Sequence, residues 1–278
     1  MQIINGKKIK DEILSSVKKE IASLSFRPIF CDILVGDDKA SIQYVEMKKR
    51  NAEALGIDFR NANFPVSINT EDLIREIEIL NKIPYMCGII IQLPLPGSID
   101  KRKVLDAILP ELDVDCLGTV QSKEFYSGLI TTGFPTALAC IKILDLIGVD
   151  LNVKKIVVLG NGELVGRPVS SLLGFKGFKP IVITSESKNK EEIIEGADII
   201  ISGIGKGKFI TKDMIKDGVI LIDAGTSESN GGIVGDVDFE SVKDKVSFIS
   251  PVPGGVGPVT IAMLFNNVLN VAKQKNVK

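Results

Sequence analysis

The stretch VKKIVVLGNGELVGRPVSSLLG, Val153 to Gly174, decides the fold, because its pattern predicts a strand, a glycine turn and a helix in succession. Gly160, Gly162 and Gly166 fit G-x-G-x-x-x-G, one residue longer than the usual dinucleotide fingerprint. The helix N-terminus would present free N–H groups and a positive dipole end to a pyrophosphate. The stretch therefore favours a nucleotide site, although a tight turn without a ligand has the same pattern.

The segments around this turn extend the α/β pattern to the whole chain. The runs KPIVIT, ADIIISG and GVILIDAG follow at spacings that leave room for crossover helices, and IFCDILVG and MCGIIIQ alternate with helical patterns in the first half. We predict an α/β protein of two domains, residues 1–135 and a Rossmann-type domain over residues 136–257. The helical tail 258–278 is expected to return to the first domain.

Composition excludes several function classes. The 278 residues are 45% hydrophobic and 25% charged, with a net charge of −1, as in soluble globular proteins. The sequence lacks the basic stripe that is typical of nucleic-acid-binding proteins. Its apolar runs are far short of the ~20 residues that cross a bilayer. The N-terminus MQIINGKKIK lacks an apolar signal core, so we expect a cytoplasmic protein without nucleic-acid or membrane partners.

The few cysteines and the absence of histidine limit the groups that could bind a metal or transfer protons. Four widely spaced cysteines without a CxxC motif argue against a disulfide framework or a zinc site, and there is no histidine. Acid–base chemistry must therefore come from Lys, Asp, Glu, Tyr or Cys, and we expect no metal. In SIQYVEMKKRNAEALGI, Tyr44 and Lys48 are four residues apart, so a helix would place both on one face.

Three further segments are weak signals when taken singly. Gln92 ends a buried strand in GIIIQLPLP, where it could bind a ligand or only satisfy loop backbone groups. Asp113 and Asp115 in PELDVDCLG could be turn residues or a helix cap. The loop SPVPGGVGP, 250–258, would let backbone approach a ligand closely, although an elaborate turn would have the same composition.

The order of these motifs along essentially the whole chain resembles the bifunctional methylenetetrahydrofolate dehydrogenase/methenyltetrahydrofolate cyclohydrolase family. The most specific pieces are the Tyr-x-x-x-Lys helix, QLPLP and PVPGGVGP. The resemblance implies an enzyme that passes a hydride from the folate methylene to a nicotinamide and then opens the methenyl bridge with water. It also implies a homodimer that forms through the nucleotide-binding domain, a folate cleft between the two domains, and a role in one-carbon metabolism and purine biosynthesis.

The resemblance also assigns residue roles. It makes Lys48 the catalytic lysine, with Gln92 in contact with it, Tyr44 stacked on the folate and Asp115 anchoring the pterin ring. Pro253, Gly254 and Gly255 would form a substrate-binding loop. Burial beside an aromatic ring and a cationic folate would favour the neutral amine of Lys48, which could then activate water.

The cofactor side departs from the family pattern. The resemblance places the cofactor on Gly160, Asn161, Gly162, Gly166, Arg167, Ser185, Glu186 and Thr226. The family turn usually continues Gly-Arg-Ser, and its arginine usually meets the 2′-phosphate of NADP, whereas here Asn161 stands in that place. Glu186 could bond the ribose and favour NAD, whereas Ser185, Lys188 or Arg167 could accept a phosphate. NADP is the family default, and NAD is the alternative.

Other positions depart as well. Cys116 replaces a glycine in DVDC, Thr226 stands in DAGT where the family has DVGI, and Phe134–Ala137 (FPTA) replaces PCTP. The catalytic set is nevertheless complete. A dehydrogenase without cyclohydrolase activity, or a non-catalytic nucleotide-binding regulator on the same fold, are the alternatives. Hydrolysis of methenyl-tetrahydrofolate without nicotinamide would separate the bifunctional enzyme from both.

Overall fold

A computed structural model gives the structure of the chain and describes residues 1–129, 132–229 and 232–276. The chain divides into two compact units. The six-stranded unit comprises Met1–Asp11 and Phe134–Met263, and the three-stranded unit comprises Glu12–Gly133 and Leu264–Lys278. Each unit has its own sheet, and each is described below by itself.

The helices and strands alternate along most of the chain, as the sequence predicts. The helices are α1 Gly6–Ile21, α2 Lys39–Leu55, α3 Thr70–Asn81, α4 Lys101–Asp106, α5 Thr119–Tyr126, α6 Pro135–Ile147, α7 Gly166–Phe175, α8 Lys190–Glu195, α9 Phe239–Val242 and α10 Val256–Asn276. The strands are β1 Gln2–Ile3, β2 Ile29–Val35, β3 Asp58–Phe64, β4 Met86–Ile91, β5 Ile156–Leu159, β6 Ile181–Ile183, β7 Ile199–Ser202, β8 Ile220–Asp223, β9 Ser227–Ser229, β10 Gly232–Val234 and β11 Phe248–Ser250.

The six-stranded unit is built on a parallel sheet with the order β1-β11-β8-β7-β5-β6. Strands β5, β7 and β8 are buried along their whole length, because a parallel sheet is covered by helices on both faces. The carboxyl ends of β6, β5, β7 and β8 lie side by side at one edge. A separate antiparallel ribbon pairs β9 with β10.

The three-stranded unit has the parallel order β3-β2-β4, so that β2 is the central strand. The end of α10 belongs to this unit. There the ring of Phe265 packs edge-on against Phe30, with 5.4 Å between centroids, and Asn267 Nδ2 donates to the carbonyl oxygens of Val114 and Gly133. The C-terminal helix therefore closes the core of a unit formed mostly by the first half of the chain.

The predicted fold class is confirmed, including the Rossmann-type half and the returning C-terminal helix. One element was not predicted. Gln2 and Ile3 pair with β11, so residues 1–11 group with the six-stranded unit and not with the first half of the chain. A strand of two residues has no periodicity that a sequence can reveal. Among the described residues, no helix combines the length and the apolar character that crossing a bilayer requires.

Candidate active site

Helix α2 places Lys48 inside the three-stranded unit. The helix begins after Asp38, whose carboxylate accepts from the Ser41 N–H at 2.8 Å, and it ends at Gly56 in the left-handed region, φ 83°. Its buried face carries Val45, Lys48 and Ala52, among others. Lys48 is only 5% exposed, so its amine requires polar partners inside the protein.

Two oxygen atoms meet the Lys48 amine. Gln92 Oε1 accepts a hydrogen bond from Nζ at 2.7 Å, and Asp32 Oδ2 forms an ion pair with Nζ at the same distance. Gln92 directly follows β4 and is fixed by its own N–H, which donates to the Ile33 carbonyl at 2.8 Å. The structure therefore brings together the two residues, Lys48 and Gln92, whose contact the sequence predicted.

Asp32 is a functional candidate that the sequence analysis missed. It lies in the middle of β2 and is fully buried. Its pKa is raised, because burial outweighs the opposing effect of the neighbouring Lys48. The signal was present in IFCDILVG, because one acidic residue interrupts a run of apolar residues that predicts a buried strand.

Tyr44 is one helical turn before Lys48 on α2 and is 38% exposed. Its ring is therefore available to a ligand, whereas Lys48 is enclosed by the unit. The two side chains have the spacing that the sequence predicted for one helix face. An aromatic ring that stays this open provides a surface on which a planar ligand can stack.

The loop between the 3₁₀ turn Pro110–Leu112 and α5 carries the two acids of DVD. Asp113 is buried and accepts from the Gly118 N–H at 2.7 Å, so it holds the loop in shape. Asp115 is half-buried. Its pKa is raised to about 7 by burial and, to a lesser extent, by Asp113 and Asp32, while Lys48 opposes the increase.

Cys116 adopts φ 62°, a left-handed conformation that glycine tolerates better than residues with a Cβ. This backbone geometry gives a physical reason for the glycine that the family pattern has at this position. The Cys116 thiol is buried, and burial raises its pKa. All four cysteines are free thiols and are buried.

In the six-stranded unit, the glycine turn connects β5 to α7. Gly160 has φ 92°, and its N–H donates to the Ile183 carbonyl at 2.8 Å, which ties the turn to the end of β6. A Cβ on Gly166 would lie 2.0 Å from the Gly160 carbonyl oxygen, so only glycine fits there. Asn161 and Gly162 are exposed at the top of the turn.

The remaining predicted cofactor residues lie at the same edge of this sheet. Ser185 and Glu186 are exposed just after β6, and Thr226 is exposed just after β8. Arg167 is exposed in the first turn of α7, where its N–H donates to the Gly162 carbonyl at 3.1 Å. Strand-carboxyl ends in α/β sheets are where ligands bind.

Two buried aspartates, also missed by the sequence analysis, shape this edge. Asp236 accepts from Ser202 Oγ and from the N–H groups of Ile204 and Lys206, at 2.7 to 2.9 Å. Asp223 accepts from three backbone N–H groups, those of Gly225, Asp236 and Val237. The loops after β7 and β8 are therefore fixed by carboxylates.

The loop of Pro253, Gly254 and Gly255 connects β11 to α10. The Gly6 N–H donates to the Gly254 carbonyl at 3.0 Å, and a Cβ on Gly6 would lie 1.9 Å from the Gly255 oxygen. Gly254 itself has φ 105°. Pro253 and Gly254 are exposed, so their backbone is accessible at the surface of this unit.

The end of the six-stranded sheet at which the carboxyl ends of its strands lie fits a dinucleotide. The Gly160–Gly166 turn packs too closely for side chains on its inner positions, and its top is open, with no atom within 4 Å of a Cβ built on Gly162. A pyrophosphate needs such close approach of backbone and a free helix N-terminus. Taken with the buried lysine of the other unit, these features define an α/β enzyme with a nucleotide-binding unit.

Comparison with known proteins identifies the family. Residues 4–115 match the sequence model of the tetrahydrofolate dehydrogenase/cyclohydrolase catalytic domain, and residues 135–276 match the NAD(P)-binding domain of the same family. A bifunctional protein FolD from Rickettsia bellii is 41% identical over 277 residues, which cover 98% of each chain. The chain belongs to the tetrahydrofolate dehydrogenase/cyclohydrolase family.

Solved structures agree with this assignment. The bifunctional dehydrogenase/cyclohydrolase FolD of Campylobacter jejuni is 35% identical, with 99% of each chain covered and a TM-score of 0.94. The FolD of Trypanosoma brucei, solved with NADP and an inhibitor, is 33% identical, with 98% of this chain and 97% of that chain covered and a TM-score of 0.92. The predicted family and the predicted bifunctional enzyme class are confirmed.

Proposed function

We propose that this chain carries out both reactions of its family and that Lys48 moves the protons. The enzyme oxidises 5,10-methylenetetrahydrofolate to 5,10-methenyltetrahydrofolate with NAD(P), and it then hydrolyses the product to 10-formyltetrahydrofolate. The observation that carries the proposal is the buried Lys48 amine, held 2.7 Å from both Gln92 Oε1 and Asp32 Oδ2. An amine fixed in this way can serve as a general acid and base.

Lys48 acts twice during hydrolysis. The neutral amine takes a proton from water as the water oxygen bonds to the methenyl carbon. The resulting ammonium then gives a proton to the folate nitrogen as the carbon–nitrogen bond breaks, and the remaining hydroxyl proton passes to solvent. Gln92 directs the amine through its hydrogen bond, so the proton donor and acceptor keep one position through both steps.

The other predicted substrate residues hold the folate. The Tyr44 ring stacks on the substrate, and the ionised carboxylate of Asp115 accepts two N–H bonds from the pterin, which fixes the ring. The backbone of Pro253, Gly254 and Gly255 provides close contacts. Residues 1–135, with 258–278, form the folate-binding part of this assignment, and residues 136–257 bind the nucleotide.

NADP is the cofactor we propose, and when bound it accepts the hydride. Gly160, Asn161, Gly162, Gly166 and Arg167 would hold the pyrophosphate, Ser185 the adenosine ribose side and Thr226 the nicotinamide side. The family default and the NADP that is bound in the Trypanosoma brucei relative support NADP. The exposed carboxylate of Glu186 favours NAD, because an acid beside the ribose repels a 2′-phosphate.

Parallel rates with NADP and NAD test the cofactor assignment. A strong preference for NADP supports it, and Glu186→Gln should then change the ratio little. A strong preference for NAD that Glu186→Gln weakens would assign Glu186 to the ribose and contradict the proposal. Glu191→Gln is the matched control, because Glu191 is an exposed acid that lies in α8 and not in the loop that directly follows β6.

The Lys48→Met variant tests the proton chemistry. We expect it to lose methenyl hydrolysis by about 10²- to 10⁴-fold while nucleotide binding persists. The matched control is Lys49→Met, which removes the same charge one residue along α2, away from the buried face. Normal hydrolysis by Lys48→Met would remove Lys48 from the mechanism. Hydrolysis by the unmodified enzyme without nicotinamide distinguishes it from a dehydrogenase alone.

Assembly, location and metal use complete the proposal. We propose a homodimer through the nucleotide-binding domain, a cytoplasmic location, no metal, and no nucleic-acid or membrane partner. Sedimentation velocity tests the dimer, and full activity after treatment with a chelator tests metal independence. A monomer at working concentration, or activity that only added metal restores, would contradict the respective part.

A further inference from the structure

Asp32 is an unexpected residue at its position. It is the one charged residue of β2, which otherwise has the sequence Ile, Phe, Cys, Ile, Leu, Val. This strand is the centre of its sheet, where Asp32 is paired with Asn61 of β3 and Ile90 of β4. An ionised carboxylate in such a place is costly unless it is paired. Its presence therefore requires an explanation.

The Asp32 carboxylate has one polar contact among the described residues, the ion pair of Oδ2 with Lys48 Nζ at 2.7 Å. The other oxygen, Oδ1, has no hydrogen-bond partner there. Buried ion pairs with incomplete hydrogen bonding contribute little to stability compared with apolar residues of the same size. The contact is therefore directed at Lys48 and is not explained by packing.

The charges near this pair are mostly acidic. Asp115 lies in the electrostatic range of both Lys48 and Asp32, and Asp113 acts on Asp115 from the same loop. On β2 itself, Cys31 is a neutral thiol whose pKa is raised to about 12 by burial and by Asp32, while Arg60 of β3 has the opposite effect. Lys48 therefore interacts with two carboxylates, those of Asp32 and Asp115.

We propose that Asp32 is a positioning residue for Lys48 and that its carboxylate holds the amine against Gln92 Oε1. Two acceptors 2.7 Å from one Nζ leave its third N–H position for the water or the folate. This inference rests on the proposed role of Lys48.

The test is the kcat and KM of methenyl hydrolysis, measured without nucleotide, for Asp32→Asn. We expect kcat to fall roughly 10- to 100-fold with little change in KM, because the amine is no longer held in place. The control is Asp58→Asn, an exposed acid of the neighbouring strand β3, which should leave both constants unchanged.

Several outcomes would overturn the inference. An Asp32→Asn variant with the kcat of the unmodified enzyme would do so, and so would one whose KM rises as its kcat falls, because that pattern indicates general damage to the site. Circular dichroism checks folding, and Asp32→Val, which continues the apolar strand, replaces Asp32→Asn if that variant does not fold. Failure of both to fold would assign Asp32 to stability alone.

The two proposals fail separately. If Lys48→Met retains hydrolysis, the proton chemistry assigned to Lys48 is wrong, and Asp32 loses its role with it. If Lys48→Met is inactive while Asp32→Asn keeps the unmodified kcat, only the inference about Asp32 is wrong.

Discussion

Two buried aspartates of the six-stranded unit differ in role from Asp32 of the three-stranded unit. In the six-stranded unit, the carboxylates of Asp223 and Asp236 each accept three hydrogen bonds, all but one from backbone N–H groups. In the three-stranded unit, the ion pair with Lys48 is the one polar contact that Asp32 makes within the part of the chain that the structure describes. The first arrangement satisfies the carboxylates and fixes loops, whereas the second leaves a carboxylate dependent on a single cation.

This difference separates architecture from chemistry. A carboxylate that accepts from several fixed backbone N–H groups cannot change partners without unfolding its loop. This holds for Asp223 even though burial raises its pKa to about 6. A carboxylate with one ionisable partner responds to any change in the charge of that partner. The number of fixed donors around a buried acid is therefore a guide to whether it supports a loop or a reaction.

The largest expected effect comes from breaking the Lys48–Asp32 pair. Lys48→Met should lower the free energy of unfolding by about 3–5 kcal/mol, because it leaves Asp32 buried without its cation. The double variant Lys48→Met/Asp32→Val should recover most of that loss, since no charge is then left unpaired. Urea denaturation of the two single variants and the double variant measures the coupling, and additive losses would show that the residues do not interact.

A smaller effect is expected at Asp236. Asp236→Asn replaces one acceptor oxygen by an N–H₂ group that faces donors, so the free energy of unfolding should fall by about 2–3 kcal/mol. The kcat of hydrolysis per folded molecule should stay unchanged, in contrast to that of Asp32→Asn. The control is Asp217→Asn, an acid whose side chain is 86% exposed, where we expect a change of at most about 0.5 kcal/mol. Equal stability of Asp236→Asn and Asp217→Asn would contradict the scaffolding role.

The pH dependence of Asp115 sharpens the same contrast. Its pKa in the folded chain, about 7, is above the ordinary value of 3.8, so the neutral carboxyl favours folding. The resulting stability is complete at pH values below the ordinary value and is lost as the pH rises through about 7. Asp115→Asn stays neutral, so unfolding at several pH values should show the unmodified chain losing stability relative to this variant as the pH rises. Parallel curves would show that Asp115 is already ionised at low pH.

Folate binding should depend on pH in the opposite direction. The proposed pterin contact needs the ionised carboxylate, so KM for the folate should fall as the pH rises through about 7. In Asp115→Asn this dependence should disappear while KM stays high. A KM that is independent of pH in the unmodified enzyme would separate Asp115 from pterin recognition.

The sequence predicted the elements that have strong periodicity. The run MCGIIIQ predicts β4, which the structure has at Met86–Ile91. The Tyr44–Lys48 spacing likewise required only helical geometry. The two residues of β1 carry no pattern, because their place in the sheet depends on β11, which is about 245 residues away.

The site was predictable where a motif marks it and not where tertiary contact creates it. Lys48 and Gln92 were found through motifs and lie 2.7 Å apart. Asp32 was missed because its role depends on Lys48 of α2, which packs against β2, whereas the pattern of its own strand predicts only burial. Asp223 and Asp236 were missed in the same way, since the N–H groups that they accept from come from separate loops.

The smallest expected effect concerns Cys116, whose φ of 62° is strained for any residue with a Cβ. Cys116→Gly removes the strain but also the buried thiol, so the informative comparison is with Cys116→Ala, which removes the thiol and keeps the Cβ. Glycine should exceed alanine in free energy of unfolding by about 1 kcal/mol, as for left-handed positions elsewhere. Thermal and urea denaturation of the two variants measure this difference. If alanine is the more stable, the backbone has relaxed, and the family's glycine beside Asp115 is explained by access for the pterin instead of by backbone strain.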